Sequence, residues 1–592
     1  MDAVAPQIAE TAVAQFNWMS WVVIAVFMAA TTWLGHHMAG KQATMKDFFL
    51  GGRQLPWPAV SGSIIATEIS AMTIVAVPAY LWVETGNMSY GVLALGNIIG
   101  RIVVGLYFVP AWYQREIYSP YDYIGHELGM TGQRTASILF MIGGILAQST
   151  RVLLTAIVLN VMTEIDVYFC IMLVGAVAIL WTFMGGITTV IWTDVVQFFI
   201  FLLTAICTVV IVTMEIHAHG IPFLDIWKTA WNQGKMVVVN PDPWFHLDPR
   251  ENFTLLTGLI AVSIGGLASY GTDQMMVQRA FCCRGPKEAF KAIAWSSVGQ
   301  VIVYMCLLSG VAIWYFYKAA GIPGVPFADE LLPVEENTNR LVPVFVKYHV
   351  HWFFGGLIVA GIFAAAISSL DSILAALSEQ TITALKQGGF VSEDDPTIVA
   401  KSRFVVVIWG IVLTLIACSF PYFKQDKGVL IDLALGLASL AAGGILGTFL
   451  MSFVPAWRRD ATLIPFCAGL SILTILALMR HEPQASIIIG ALCVLLLVGI
   501  GLVSSLNGAH PARVLFKLAV ALGIAAVIMA LNLIHYSDTG ALGIAPFLAT
   551  DVETWRPLTV GWPWYTPIGL TIMLTAGLLI CDPPRRGENG AS

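Results

Sequence analysis

Residues 61–80 read SGSIIATEISAMTIVAVPAY, and residues 263–274 read SIGGLASYGTDQ. Both lie within apolar runs, yet both make poor uniform helices. The first mixes hydroxyls and Glu68 with β-branched residues and ends at Pro78; the second sets Gly265, Gly266 and Gly271 among polar groups. A glycine inside a helix costs roughly 1 kcal/mol relative to alanine. Unwound backbone at membrane depth persists only where it lines a cavity or is buried in protein. Counted from the second apolar run, these are the first and sixth segments. That spacing fits two repeats of five helices, with a solute site where the broken segments meet. The competing reading is a pair of glycine-tolerant packing helices.

The surrounding composition sets the context. Of 592 residues, 58% are apolar and 11% charged, with a mean hydropathy of +0.80. Soluble domains carry about a quarter charged residues, so this is the composition of a polytopic protein of the lipid bilayer. Fifteen apolar runs of spanning length extend from 18–38 to 562–581. Lys and Arg concentrate in alternate loops, among them Lys41, Lys46, Arg53, Arg115, Arg134, Arg279, Arg284, Arg458, Arg459, Arg585 and Arg586. The positive-inside rule then puts the N-terminus outside and the C-terminus in the cytoplasm, for a protein of the cell (inner or plasma) membrane. The first 17 residues contain no Lys or Arg and do not read as a cleaved signal peptide.

Other classes fare poorly. A net charge of −6 with no basic tract gives no footing for nucleic acid, and no obligate protein partner is inferred. The nine cysteines are scattered without CxxC or His/Cys ligand spacing, so neither a metal centre nor a disulfide framework is expected. No nucleophile–base pair or phosphate loop marks the extramembrane segments, and an enzyme is not expected. Three hydrophilic stretches, 215–253, 318–351 and 536–561, are expected outside as short lid-like helices over a vestibule.

Within the ninth run stands Ala366-Ile367-Ser368-Ser369-Leu370-Asp371-Ser372. Hydroxyls and a carboxylate in such a run need partners, because no water is at hand. Two readings are open. Adjacent hydroxyls with nearby carbonyls suit a small hard cation; alternatively the serines bond back to carbonyls one turn earlier. Arg101, Arg151 and Glu68 are further charges within apolar runs, and Arg101 has no assigned role.

Five stretches carry a resemblance. They are Gly51-Gly52-Arg53 with Trp57 and Ala66 to Ala71; Gly185-Gly186 with Trp192-Thr193-Asp194-Val195-Val196-Gln197; Gly271 to Gln274 with Val277-Gln278-Arg279; Ala365 to Ser369; and Gly443-Gly444 to Gly447-Thr448-Phe449. In order, from about residue 45 to 455, these resemble the sodium/solute symporter family of sodium–glucose, proline, pantothenate, iodide and sialic acid cotransporters. The resemblance implies an all-α polytopic fold with an inverted five-plus-five helix repeat and broken first and sixth core helices. It implies an N-terminal tail and extra helix in 1–44, a ten-helix core in 45–455, and about four additional helices with a short tail in 456–592.

Function follows from the same resemblance: sodium-driven import of a small-molecule solute by alternating access. Carried across, the sodium ligands are the carbonyls of Ala66, Ile69 and Ala365 and the side chains of Ser368 and Ser369. Such mostly neutral oxygens suit a monovalent ion, where a carboxylate cage would suit calcium. Asp194 would lie near the exit path, or else serve as a helix N-cap. Ala365 lacks the hydroxyl that some members use for a second sodium, so one sodium per cycle is expected. Asp371 either caps the polar face or stands in for that ligand.

Solute candidates are Thr67, Glu68, Ser70, Thr73, Asn97, Arg151, Ser269 and Tyr270. Sugar-carrying members have Glu where Asn97 aligns, and Asn and Tyr where Gly266 and Ser269 align, which departs from a hexose pocket. Thr67 to Pro78 is more similar to the sialic-acid branch, whose third core helix carries an arginine for the substrate carboxylate; Arg151 falls in the matching region. The expectation leans to an acidic solute such as a sialic acid or carboxylate. The alternative is a neutral sugar or polyol, with Arg151 paired to Glu68. A solute sensor or a channel-like permease is the reading from another class. With eleven residues after the last run, no output domain is expected.

Overall fold

The computed structural model describes residues 15–583 apart from 39–44, 116, 185, 240–247, 323–337, 393–394, 396, 423–429, 480–482, 538–541, 545–554 and 558–559. Gly185, Lys41 and the Arg585-Arg586 tail lie outside the described residues. Among the described residues, twelve helices are long and apolar enough to span a membrane. One bent pair and two shorter apolar helices, Val167–Phe183 and Thr257–Gly271, account for the remaining runs read from the sequence.

In chain order the helices that matter are α1 (Trp18–Met38), α2 (Trp57–Glu68), α3 (Ala71–Tyr80), α4 (Leu93–Val103), α5 (Met130–Thr163), α6 (Val167–Met184), α7 (Ile187–Ala218), α8 (Phe223–Asn232), α9 (Val262–Gly271), α10 (Gln274–Phe281), α11 (Gln300–Trp314), α12 (Leu341–His349) and α13 (Trp352–Gln387). They are followed by α14 (Ile398–Ser419), α15 (Leu430–Phe453), α16 (Ile464–Met479), α17 (Pro483–Leu506), α18 (Pro511–Leu533) and α19 (Tyr565–Ile580). The chain forms two compact units: Met1–Ala94, Ile145–Trp244 and Gln278–Ala434 make the first, and Leu95–Gly144, Phe245–Val277 and Leu435–Ser592 the second.

In the first unit α7 packs on α2, α11 and α13, α13 also packs on α1, and α3 packs on α11. The first broken helix is here. α2 and α3 are bent by 51° at Ile69-Ser70. Ahead of α2, Gly51 (φ 55°), Gly52 (φ 65°) and Arg53 (φ 57°) turn the chain through left-handed conformations, where glycine carries no Cβ penalty. The second unit contains α9, which stops at Gly271; the chain re-enters helix at Gln274, with Asp273 Oδ1 accepting from the Met275 amide at 2.8 Å. Both segments read as poor helices are thus interrupted. In this unit α4 presents Gly96 and Gly100 to α9: a Cβ on Gly100 would stand 2.7 Å from the Gly266 Cα, and one on Gly96 2.2 Å from the Gly258 carbonyl oxygen. Backbone rests on backbone at Gly100, and on backbone and the Val262 Cβ at Gly96, the close approach that small residues four apart permit.

Two of the three hydrophilic stretches contain a short helix. α8 lies in 215–253 and α12 in 318–351. In 536–561 the described residues instead contribute to a small antiparallel sheet of order β2-β1-β3, with β1 Ile534–Ser537, β2 Leu542–Ile544 and β3 Trp555–Pro557. Its residues carry Tyr, Trp, His and Ile among Gly and Pro, a composition that suits short strands and turns better than helix.

Close packing of α3 on α11 rests on Gly310, where a Cβ would lie 2.8 Å from both the Cα and the carbonyl oxygen of Pro78. Gly310→Ala is expected to destabilise the protein by about 1–3 kcal/mol through overpacking, more than the roughly 1 kcal/mol gained in helix propensity. Gly523 on α18 has nothing within 4 Å of its Cβ position. Gly523→Ala should therefore leave the melting temperature of the purified protein equal or raised, while Gly310→Ala lowers it.

Candidate functional site

Where α2 ends, the Ile69 amide still reaches the Ile65 carbonyl at 2.9 Å, but Ile69 itself is extended (φ −71°, ψ 121°). The next amide, that of Ser70, turns to Thr73 Oγ1 at 3.5 Å, while Ser70 Oγ accepts from the Met72 amide at 3.2 Å. Ser70 and Thr73 are therefore the reciprocal cap of α3, the arrangement that satisfies two orphan amides at a helix start. A helix end leaves its last carbonyls without intrahelical donors. At this end, the Thr67 carbonyl accepts from Ser369 Oγ at 3.3 Å and from Arg151 Nη1 at 3.4 Å.

The two serines of α13 separate the two sequence readings. Ser369 bonds back to the Ala365 carbonyl at 3.1 Å while also reaching α2. Ser368 instead crosses to α7, donating to Asp194 Oδ1 at 2.5 Å. A hydroxyl that donates to a carboxylate leaves its lone pairs free to face a cation. Ala66, Ile69, Ala365, Ser368, Ser369 and Asp194 all belong to the first unit, and each is buried.

Asp194 is not a helix cap: α7 begins after Gly186, which takes the N-cap position. Its carboxylate is instead the centre of a buried network. Oδ2 accepts from Ser63 Oγ at 2.5 Å and from Arg279 Nη2 at 3.1 Å. Arg279 also donates from Nε to Ser63 Oγ at 2.8 Å and from Nη2 to Ser372 Oγ at 2.5 Å. Ser372 in turn donates to the Ser368 carbonyl at 2.5 Å and lies 3.3 Å from Thr67 Oγ1. Arg279 was counted above among the loop cations; it is fully buried within α10. Neither Arg279 nor Ser63 was singled out as a site residue, although Arg279 stands in the quoted Val277-Gln278-Arg279 motif. An arginine inside the apolar run 254–280 was the available signal, since buried charge requires a partner.

Asp371 is held elsewhere. Thr182 Oγ1 on α6 donates to its Oδ1 at 2.6 Å.

The solute candidates divide between the units. In the first, Thr67 is buried and donates to the Ser63 carbonyl at 2.9 Å; half-buried Glu68 accepts from Gln300 Nε2 at 3.0 Å; and Arg151 reaches the end of α2 as described. Asn97, Ser269 and Tyr270 lie in the second unit. There the Arg101 guanidinium stacks 4.2 Å above the Tyr270 ring, giving the buried Arg101 a cation–π partner and covering one face of that tyrosine. Ser269 is exposed and Asn97 half-buried within the described residues.

The fold resembles that of a solved protein, and the sequence resembles those of known transporters. A solved substrate-bound, outward-open sodium-coupled sialic acid symporter superposes with a TM-score of 0.70 over 95% of this chain and 97% of that one, at 20% identity. Mouse sodium-coupled monocarboxylate transporter 1 is 26% identical over 459 residues, 76% of this chain and 72% of that protein. The sodium/sialic acid symporter of Proteus mirabilis is 25% identical over 441 residues, 74% of this chain and 84% of that protein. Residues 48–461 match the model of the sodium:solute symporter family. That span contains both broken segments, the serine pair and Asp194, and the chain belongs to the sodium:solute symporter family.

Proposed function

We propose that this protein imports a small acidic organic solute with one sodium ion per cycle, the ion bound by the carbonyls of Ala66, Ile69 and Ala365 and the hydroxyls of Ser368 and Ser369. The observation that carries the reading is the hydroxyl of Ser369, within 3.3 Å of the Thr67 carbonyl on α2 and 3.1 Å of the Ala365 carbonyl on α13. Oxygens of two separate helices converge there, at a break where α2 has run out of amides. Ligands shared between two helices make ion binding sensitive to their separation, which is what coupling to a conformational change demands. Asp194 supplies negative potential beside the site without joining it, and Arg279 balances that carboxylate. The N-terminus lies outside and the C-terminus in the cytoplasm, as the loop charges favour.

For the solute, Arg151 is the intended partner. Its guanidinium lies against the open end of α2, where a carboxylate could take two parallel hydrogen bonds. The likeness to a monocarboxylate and a sialic acid transporter points to the same solute charge.

Uptake into proteoliposomes, with and without an inward sodium gradient, tests the reading against sialic acids, monocarboxylates and neutral sugars. Replacing Ser368 and Ser369 together by Ala should abolish sodium-driven accumulation while the protein still folds; wild-type half-saturating sodium in that variant refutes the ion site. Wild-type uptake should rise with sodium along a curve of Hill coefficient near 1, because Ala365 supplies no additional hydroxyl.

Arg151→Gln should cost about 2–5 kcal/mol of solute binding, raising the dissociation constant more than tenfold. Arg151→Lys should rescue only part, lacking the planar fork. Recovery of neutral-sugar transport in the double variant Arg151→Gln with Glu68→Gln would assign Arg151 to Glu68 instead, as coupling between neighbours predicts.

Arg279→Gln leaves Asp194 buried without its cation, a change worth about 3–5 kcal/mol. Its melting temperature should fall, and adding Asp194→Asn should restore part of the loss.

A further inference from the structure

At the end of α3 away from the break, an ammonium group fills a ring of backbone carbonyls. Lys235 Nζ donates to the carbonyls of Leu81 at 3.1 Å, Val83 at 2.8 Å, Glu84 at 3.1 Å and Gly86 at 2.8 Å. Lys235 is 5% exposed. The backbone is tied at the same place, the Met88 amide donating to the Lys235 carbonyl at 3.1 Å.

Sequence shapes both partners. α8 ends at Asn232, Gly234 turns at φ 73°, and Lys235 follows at once. The ring closes because residue 86 is glycine: a Cβ there would stand 2.0 Å from the Tyr80 carbonyl oxygen. A compact ammonium suits carbonyls converging from several directions, while a planar guanidinium does not. The carboxyl end of a helix also carries partial negative charge that favours a cation.

We propose that Lys235 is a positioning residue for transport, its charged head locking the far end of the broken helix to the segment that follows α8. α3 begins at the Ser70 cap beside the proposed ion site and ends at this ring. Fixing the ring fixes where α3 can pivot, so the charge on Lys235 governs how freely the outer half of the broken helix moves. The inference rests on the proposed transport function, but its test does not depend on the solute.

Burial pulls the lysine down from its usual range to about 8, with Lys318 opposing its charge and Glu84 favouring it. Among the described residues, the groups facing it are those two and the Trp314 ring, whose centroid lies 5.4 Å from Nζ. Lys318 itself donates to the Trp82 carbonyl at 3.2 Å, and Asp225 of α8 lies beside Tyr315. Because the folded-state value is depressed, the charge is present at pH 7 and lost as pH rises through about 8. The lock should therefore loosen on the alkaline side.

Hydrogen exchange of the full-length protein in lipid nanodiscs reads this directly, with labelling times scaled to the intrinsic rate at pH 6.5, 7.5 and 9.5. In the wild type, protection of residues 81–88 should fall about tenfold between pH 6.5 and 9.5, with α13 unchanged. Lys235→Met should show the low protection at every pH. Lys235→Arg should keep its charge and lose the pH dependence. A Lys235→Met protein with wild-type protection of 81–88, or a wild type with none of the alkaline loss, overturns the proposal. A Lys235→Met protein that does not fold leaves the wild-type and Lys235→Arg profiles to decide. Uptake of N-acetylneuraminate and of lactate is measured in parallel. Absence of both transports in the wild type counts against the proposed solute class alone, because the exchange profile stands without it.

Discussion

A carbonyl left without a donor inside a bilayer is a cost that the chain must offset from elsewhere, and the interruption at Ile69-Ser70 creates such carbonyls by design. The arrangement around it follows from that constraint. Ser70 and Thr73 satisfy the amides on the α3 side. Arg151 and Ser369 approach the Thr67 carbonyl on the α2 side. At the remote end of α3, the carbonyls beyond Tyr80 face the Lys235 ammonium. Oxygens made available in this way are weak and neutral, the kind that the proposed sodium site would use to release its ion within each cycle.

Beside the break lies a different kind of electrostatic problem. Asp194 and Arg279 are both buried, and their pairing offsets only part of the cost of taking two charges from water. Ser63, Ser368 and Ser372 supply the additional hydrogen bonds that such a pair requires. Ser368 is therefore oriented by a carboxylate whose own position depends on an arginine 85 residues further along the chain. The hydroxyl of Ser368, proposed above as an ion ligand, and the packing of α2, α7, α10 and α13 are thus parts of one network.

Much of this was legible in the sequence, and the remainder was hidden for a physical reason. Local composition announced the interruptions at 61–80 and 263–274, because glycine, hydroxyls and Pro78 weaken a helix wherever they occur. The membrane spans were legible for the same reason, since apolar length needs no knowledge of neighbours. Which polar group meets which was not. The partnership of Asp194 with Arg279, of Asp371 with Thr182, and of Arg101 with Tyr270 is decided by how distant helices pack. Gly186 takes the N-cap position, displacing the alternative role for Asp194. The family resemblance names Ser70 and Thr73 as solute candidates; the packing shows what it does not announce, that their hydroxyls cap α3. The short sheet in 534–557 was missed because strand pairing is non-local, and its few residues carry little periodic signal.

The glycine contact between α4 and α9 has a mechanical consequence. Side chains that interdigitate fix the register of two helices, ridge against groove. Where Gly100 faces Gly266, no side chains are present to mesh. The surfaces meet as a plain bearing rather than as gear teeth, and small axial slips or rotations there have no ridge to climb. In the second unit, the helix preceding the Thr272-Asp273 interruption thus runs against a smooth track, a place where displacement is cheap and larger residues would act as a brake.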